Sequence, residues 1–243
     1  KSPKFTKPSY REIDFLKNVP LDKRRVEYSE YYELQTFLDL IDGNGKGKLL
    51  DLGAGTGNLS YIFNLLNFEV TACDLDEKAF QPTNIEFVKN DLNDALPFAD
   101  GSFDYVISKQ TIEHLVSPYR FTREIGRILK KGGTGVLSTP NTSSLQSRWT
   151  MLNHGLPYGF TGSSWNYGGH MSPVFYGQVK AFMEQAGMTN IDFFTDRYSL
   201  FNLSKLNGKR KRFIAPILKL LSNKDIPEPC LYGDKLIVKG IKK

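Results

Sequence analysis

The sequence predicts an α/β fold built on a doubly wound, mostly parallel sheet, and three observations carry that expectation. The stretch Lys48 to Ser60 reads KLLDLGAGTGNLS. An apolar pair leads into Asp51, three glycines follow at alternate positions (Gly53, Gly55, Gly57), and helical character resumes from Leu59 to Leu66, the pattern of strand, tight turn and helix. Further short apolar segments recur along the chain, with helical stretches between several of them. Glycines and lysines punctuate the helix ends, as in Lys130-Lys131-Gly132-Gly133 and at Gly187.

In order, Lys1 to Pro20 is polar and holds three prolines, so it reads as an arm. Asp22 is placed to cap a helix from near Lys23, whose Tyr31, Leu34, Leu38 and Ile41 fall on one face. Asp42-Gly-Asn-Gly-Lys-Gly stops it and turns into the first strand. Later strands are expected at Glu69–Cys73, Ile85–Val88, Phe103–Ser108, Gly135–Thr139, Met188–Thr195 and Lys235–Ile241, with helices at Pro118–Leu129 and Pro173–Ala186. The organisation is an N-terminal arm and helix (1–47) and one domain (48–243), interrupted by insertions at 141–171 and 196–234.

At 243 residues the chain is long enough for one sizeable core. A net charge of +6 admits an anionic partner without demanding nucleic acid. Two distant cysteines give neither a disulfide framework nor a zinc pattern, which favours a reducing, cytoplasmic setting. No apolar run is long enough for a membrane span, and the N-terminus lacks a signal-peptide core. Lys209-Arg210-Lys211-Arg212, followed by apolar residues to Leu221, could rest on an anionic membrane surface, although a capping helix is the plainer reading.

The glycine turn frees backbone N–H groups at a helix N-terminus, where polar atoms of a ligand can sit. Asp74, directly after the second strand and roughly 20 residues past the turn, is placed to accept hydrogen bonds from ribose hydroxyls. A dinucleotide fingerprint would need its third glycine at the position of Asn58, and Gly57 comes one residue early. That argues against an NAD(P)-dependent oxidoreductase.

The pattern D-x-G-x-G-x-G from Asp51 to Gly57 resembles the first motif of class I S-adenosylmethionine-dependent methyltransferases. The segment LPFADGSFDYVISKQTIEHL (Leu96–Leu115) and the run from Arg127 through Ser138-Thr139-Pro140-Asn141 resemble the same group, closest to ubiquinone-type O-methyltransferases and the methyltransferases of bacterial glycan and cell-surface synthesis. The resemblance covers Leu49 to Asn141 well and Gly169 to Gly187 loosely. It implies a Rossmann-like, doubly wound seven-stranded sheet with the last strand antiparallel, and lid insertions. It implies S-adenosyl-L-methionine as cofactor and S-adenosyl-L-homocysteine as product, held by Asp51, Gly53, Ala54, Gly55, Gly57, Asp74, Leu75, Asp91, Leu92 and Lys109.

His114 is the natural general base, with His170 as a second base or polar anchor. Glu113 could balance the sulfonium charge; a divalent metal on Glu113 and His114 alone is too few ligands to define a site. Trp149, Tyr158, Phe160, Trp165 and Tyr167, scattered among Gly, Ser and Asn without a period, read as an acceptor pocket and lid, and Arg148 could meet an acidic substrate. The expected reaction is methyl transfer to a small-molecule, lipid or glycan acceptor, most readily at oxygen. The alternatives are a non-catalytic S-adenosylmethionine-binding protein and, less favoured, the oxidoreductase. A nucleic-acid enzyme is disfavoured because Ser108-Lys109-Gln110-Thr111 stands where an N-P-P-aromatic motif would be.

Overall fold

A computed structural model describes residues 28–41, 46–160, 169–196 and 226–243. The expectations for the arm 1–20, the cap at Asp22, the turn at 42–45, Trp165, Tyr167 and the segment 209–221 lie outside the described residues.

The elements follow in the order α1 (Tyr28–Leu40), β1 (Lys48–Leu52), α2 (Asn58–Leu65), β2 (Glu69–Asp74), β3 (Glu86–Lys89), β4 (Phe103–Ser108), a 3-10 turn (Ile112–His114), α3 (Pro118–Ile128), β5 (Leu129–Pro140), α4 (Leu145–His154), α5 (Tyr176–Gln185), β6 (Met188–Thr195), α6 (Glu228–Leu231) and β7 (Lys235–Lys242). Seven strands form one sheet in the order β3-β2-β1-β4-β5-β7-β6. The pairs β1–β2, β1–β4, β2–β3 and β4–β5 are parallel, whereas β7 runs antiparallel to both β5 and β6. The expected sheet with its antiparallel last strand is therefore the observed one.

Alternation along the strands explains the two cores. Leu50, Leu52, Val106, Leu137 and Val238 pack on one face with Phe121, Ile125, Val179 and Met183 from α3 and α5. Leu49, Ile107, Val136 and Ile237 point to the other face, with Phe37 from α1 and Leu59 and Phe63 from α2. Successive strand residues thus feed opposite cores, as the period of two requires.

Sequence order doubles back at β1, which has β2 on one side and β4 on the other. In an open α/β sheet the crevice at such a switch point, beyond the C-terminal strand ends, is where ligands bind. The glycine turn after β1, Asp74 at the end of β2 and the residues after β4 all lie at that end.

Two expectations need correction. Residues 141–171 were expected to be irregular, yet Leu145–His154 is a helix whose N-cap Ser144 accepts a hydrogen bond from the Ser147 N–H at 3.1 Å. Its Trp149 and Leu152 face outward and are 49% and 70% exposed, so the usual amphipathic period is missing. The helix expected over Pro118–Leu129 runs from Pro118 to Ile128, but the strand expected from Gly135 already begins at Leu129, which pairs with Phe103. Between that pair and Tyr105–Thr134 the register shifts, with Lys130 to Gly133 opposite the single residue Asp104.

Candidate active site

The glycine turn is stitched to β2. The N–H groups of Gly53 and Ala54 both donate to the Cys73 carbonyl, at 2.8 and 3.3 Å. Gly53, Gly55 and Gly57 all have positive φ (77°, 53° and 82°), the left-handed region that side chains resist. A Cβ on Gly53 would lie 2.2 Å from Thr111 Oγ1, and one on Gly57 would lie 2.5 Å from Pro82 Cδ. A Cβ on Gly55 would meet nothing within 4 Å. The outer two glycines thus serve close packing, and the middle one borders open space.

Asp74 closes the crevice from the β2 side. Its Oδ2 accepts the Gly55 N–H at 2.8 Å and its Oδ1 accepts the Asp76 N–H at 3.0 Å. A carboxylate has about four lone-pair sites, so both oxygens keep acceptor capacity for a diol. Leu75 beside it is 58% exposed, an apolar ledge at the strand end. Asp91 follows β3, which pairs with β2 through Asp74 and Lys89, and its Oδ1 accepts from the Asn93 N–H and amide at 2.9 and 3.0 Å. The open space at Gly55, a carboxylate with spare acceptor capacity and the exposed Leu75 leave room for a polar ligand at the end of β2.

Three of the expected cofactor residues also have partners within the fold. The Leu92 side chain, 8% exposed, belongs to the main core. Lys109 Nζ lies 4.0 Å from the buried Glu33. Asp51 is 1% exposed, and its Oδ2 accepts the Ser60 hydroxyl at 2.6 Å, tying β1 to α2.

Burial pushes the Asp51 carboxyl from 3.8 up to about 6, against the pull of the Ser60 hydroxyl and Lys109. The folded state then holds this proton more tightly than the unfolded chain. Its stability contribution is fully present below pH 3.8 and is lost as pH rises through about 6, an amount on the order of 3 kcal/mol. Asp51→Asn is expected to remove that loss. Urea unfolding from pH 4 to 6 checks it: the variant gains on wild type as pH rises, and parallel curves would contradict the assignment.

Beyond the C-terminal end of β4, the 3-10 turn carries the buried Glu113 and the partly buried His114. The backbone carbonyl of Glu113 accepts the N–H groups of Met171 and Ser172 at 2.8 and 2.9 Å, and the Ser172 hydroxyl donates to the Leu115 carbonyl at 2.6 Å. These bonds bring His170 onto His114, with ring centroids 4.8 Å apart in a T-shaped contact. His114 Nδ1 bonds the Gly169 carbonyl at 3.2 Å, and His170 Nδ1 bonds the Gly159 carbonyl at 2.7 Å. A carbonyl can only accept, so Nδ1 carries the proton in each ring and the lone pair sits on Nε2. Burial lowers the pKa of His170, offset in part by its bond to Gly159. Glu113 is fully buried, and that burial pushes its carboxyl up to about 7 against the pull of the Lys235 charge and the neighbouring Thr139 hydroxyl.

A polar network that sequence reasoning missed supports this turn. Gln110 has a left-handed backbone (φ 50°); its amide donates to Glu33 Oε1 at 3.0 Å and to the Ser138 hydroxyl at 3.2 Å, and its Oε1 accepts from Lys235 Nζ at 2.7 Å. Glu33 was legible in one respect. It lies on the buried stripe of α1 with Thr36, Phe37 and Leu40, and an acid on such a stripe needs a partner.

The strand order, the glycine turn and the acid closing β2 together define the fold class of the S-adenosylmethionine-dependent class I methyltransferases. Residues 50–137 match the family described as "Methyltransferase domain", and the chain resembles the ubiquinone-type members of that class. A ubiquinone biosynthesis O-methyltransferase of Caulobacter sp. (strain K31) is 33% identical over 114 residues, 41% of this chain and 45% of the relative. A malonyl-[acyl-carrier protein] O-methyltransferase of Erwinia pyrifoliae is 33% identical over 143 residues, 54% of each. The chain thus spans about half the length of these curated relatives. A crystal structure of a SAM-dependent methyltransferase from Archaeoglobus fulgidus superposes with a TM-score of 0.64 at 19% identity, covering 89% of this chain and 95% of that one, which speaks to the fold. No helix among the described residues is long and apolar enough to cross a membrane.

Proposed function

We propose that the chain is an S-adenosyl-L-methionine-dependent methyltransferase acting at an oxygen of a small-molecule acceptor, in the cytoplasm. The observation that supports this reading is that Gly55, Asp74 and Leu75, which follow β1 and β2, and the cluster of Glu113, His114 and His170, whose first two members follow β4, flank the switch point of the sheet.

The cofactor, when bound, supplies a methyl group already activated on a sulfonium. The chain's residues hold, align and deprotonate. Asp74 accepts the ribose hydroxyls, Leu75 covers the ring, Asp91 accepts from a base amino group, and the turn at Gly55 and Gly57 admits the tail close to the backbone. The turn at 112–114 presents the acceptor oxygen in line with the methyl, and such positioning supplies a large share of the acceleration. An acceptor hydroxyl must lose its proton, and the cluster has the basic groups for this. The matched O-methyltransferases, and the unpaired, buried Cys73 and Cys230 expected in a reducing compartment, support the reading.

The test is transfer of labelled methyl from S-adenosylmethionine to panels of phenols, hydroquinones, carboxylic acids and amines. Label in phenols, hydroquinones or acids is expected. Label in amines alone would overturn the oxygen assignment.

A further inference from the structure

We infer that Asn93 is a positioning residue that sets which base the cofactor site accepts: it holds the Asp91 carboxylate for a purine with an exocyclic amino group and against one with an oxo group. This deepens the preceding reading and rests on it for the place of the base.

Asp91 follows β3 in a turn closed by the Asp94 N–H on the Asp91 carbonyl at 2.8 Å. Its Oδ1 accepts twice from one residue, from the Asn93 N–H at 2.9 Å and from the Asn93 side-chain amide at 3.0 Å. The first bond is the ordinary way in which an Asp supports such a turn. The second is additional, and it fixes the plane of the carboxylate. Oδ2 takes no hydrogen bond among the described residues, so its acceptor capacity is left for a ligand.

The other end of the Asn93 amide is used as well. Its Oδ1 accepts the Val116 N–H at 2.8 Å. A backbone N–H only donates and an ionised carboxylate only accepts, so the amide oxygen must face Val116 and the amide nitrogen must face Asp91. Asp in this place would set a second negative charge against Asp91, and Ala would satisfy neither side.

The anchors of Asn93 are themselves held. Its backbone carbonyl accepts from Arg120 Nη1 at 2.7 Å. Further along α3, Glu124 Oε2 accepts the Leu96 N–H at 3.0 Å, and Arg127 Nη2 donates to the Leu96 carbonyl at 3.1 Å. Residues spaced four and three apart share a helix face, so one row of side chains grips the segment from Asn93 to Leu96. Asn93 carries that anchorage to the Asp91 carboxylate, which no other side chain among the described residues bonds.

The discrimination follows from the fixed direction. Adenine offers an amino group that donates to Oδ2. Hypoxanthine offers an oxo group at the same place, which only accepts, so two acceptors face each other. Hypoxanthine also carries a donor on the neighbouring ring nitrogen, and a carboxylate free to turn would take it. Held by Asn93, Asp91 keeps its direction, and the oxo base leaves a polar group unpaired. A site built in this way rejects a near-isosteric ligand that lacks the matching donor.

The experiment is isothermal titration of the full chain with S-adenosyl-L-homocysteine and with S-inosyl-L-homocysteine, the same molecule with hypoxanthine in place of adenine. Wild type is expected to bind the adenine form roughly 10–150-fold more tightly, the range for one hydrogen bond to a charged group. Asn93→Ala and Asn93→Asp are each expected to lower that ratio at least about threefold, the coupling of side chains in one hydrogen-bond network. Asn93→Asp keeps an acceptor for the Val116 N–H, which separates the aiming of Asp91 from support of the loop. Asp91→Ala is expected to abolish the ratio, and adding Asn93→Ala to it should change the ratio no further, because Asn93 acts through Asp91. If Asn93→Ala fails to fold, Asn93→Asp and wild type decide. Weakening of both ligands by the same factor, with the ratio kept, makes Asn93 a support of the loop alone and overturns the proposal. A wild type that binds both ligands equally also overturns it and leaves the cofactor reading standing. A wild type that binds neither removes the cofactor reading and the inference with it.

Discussion

Asp74→Ala is expected to cut the affinity for S-adenosylhomocysteine at least about 100-fold while leaving the fold intact. Hydrogen bonds to a charged acceptor each contribute roughly 1.5–3 kcal/mol, and a ribose offers two donors to this carboxylate. The same carboxylate holds the Gly55 and Asp76 N–H groups at 2.8 and 3.0 Å, so its loss also loosens the turn against which the ligand packs. Asp74→Asn separates the two effects, since an amide oxygen can still accept from Gly55 but carries no charge. It is expected to retain thermal stability and recover only part of the affinity. Calorimetry on the three proteins checks this; undiminished affinity in Asp74→Ala would mean that the nucleoside does not lie along the end of β2.

Gly53→Ala is expected to lower stability by about 2–5 kcal/mol. A left-handed alanine costs roughly 1–2 kcal/mol, and overpacking adds about 1–3. The new methyl would stand 2.2 Å from Thr111 Oγ1 and 2.7 Å from its Cγ2, inside the β1–β4 crevice. Differential scanning calorimetry should show a Tm lower by roughly 4–20 °C. Thr111→Ala removes the two nearest atoms and leaves its Cβ at 3.0 Å, so the double variant recovers part of the packing cost while keeping the φ penalty. Gly55→Ala offers a contrast. Nothing lies within 4 Å of its added methyl, so it pays only the backbone cost in stability and loses ligand affinity instead. Equal melting temperatures for the two single variants would contradict the division of labour drawn for these glycines.

Those glycines also show what can be read from a sequence. Gly53, Gly55 and Gly57 sit within a few residues of one another, and their spacing alone announced a tight turn after a strand. Asp74 was legible for the same reason: an acid directly after an apolar run sits at a strand end. The sheet followed from such local signals, and its parallel order is the arrangement that covers both faces. The catalytic side resisted. Both His114 and His170 were candidates, yet their contact depends on Met171 and Ser172 bonding the Glu113 carbonyl, a long-range event with no periodic trace. Gln110 joins Glu33, 77 residues earlier, to Lys235, 125 residues later, and no window contains such a network. Helix α4 was missed because Trp149 and Leu152 face outward, against the pattern by which surface helices are found.

The central claim is that the crevice between β1 and β4 binds the nucleoside of S-adenosylmethionine and not a dinucleotide. The most direct measurement is isothermal titration of the wild-type chain with S-adenosylhomocysteine and, in parallel, with NADH. Micromolar binding of S-adenosylhomocysteine with no heat from NADH is the predicted result. Binding of NADH, with S-adenosylhomocysteine inert, would contradict it and assign the glycine turn to hydride-transfer chemistry.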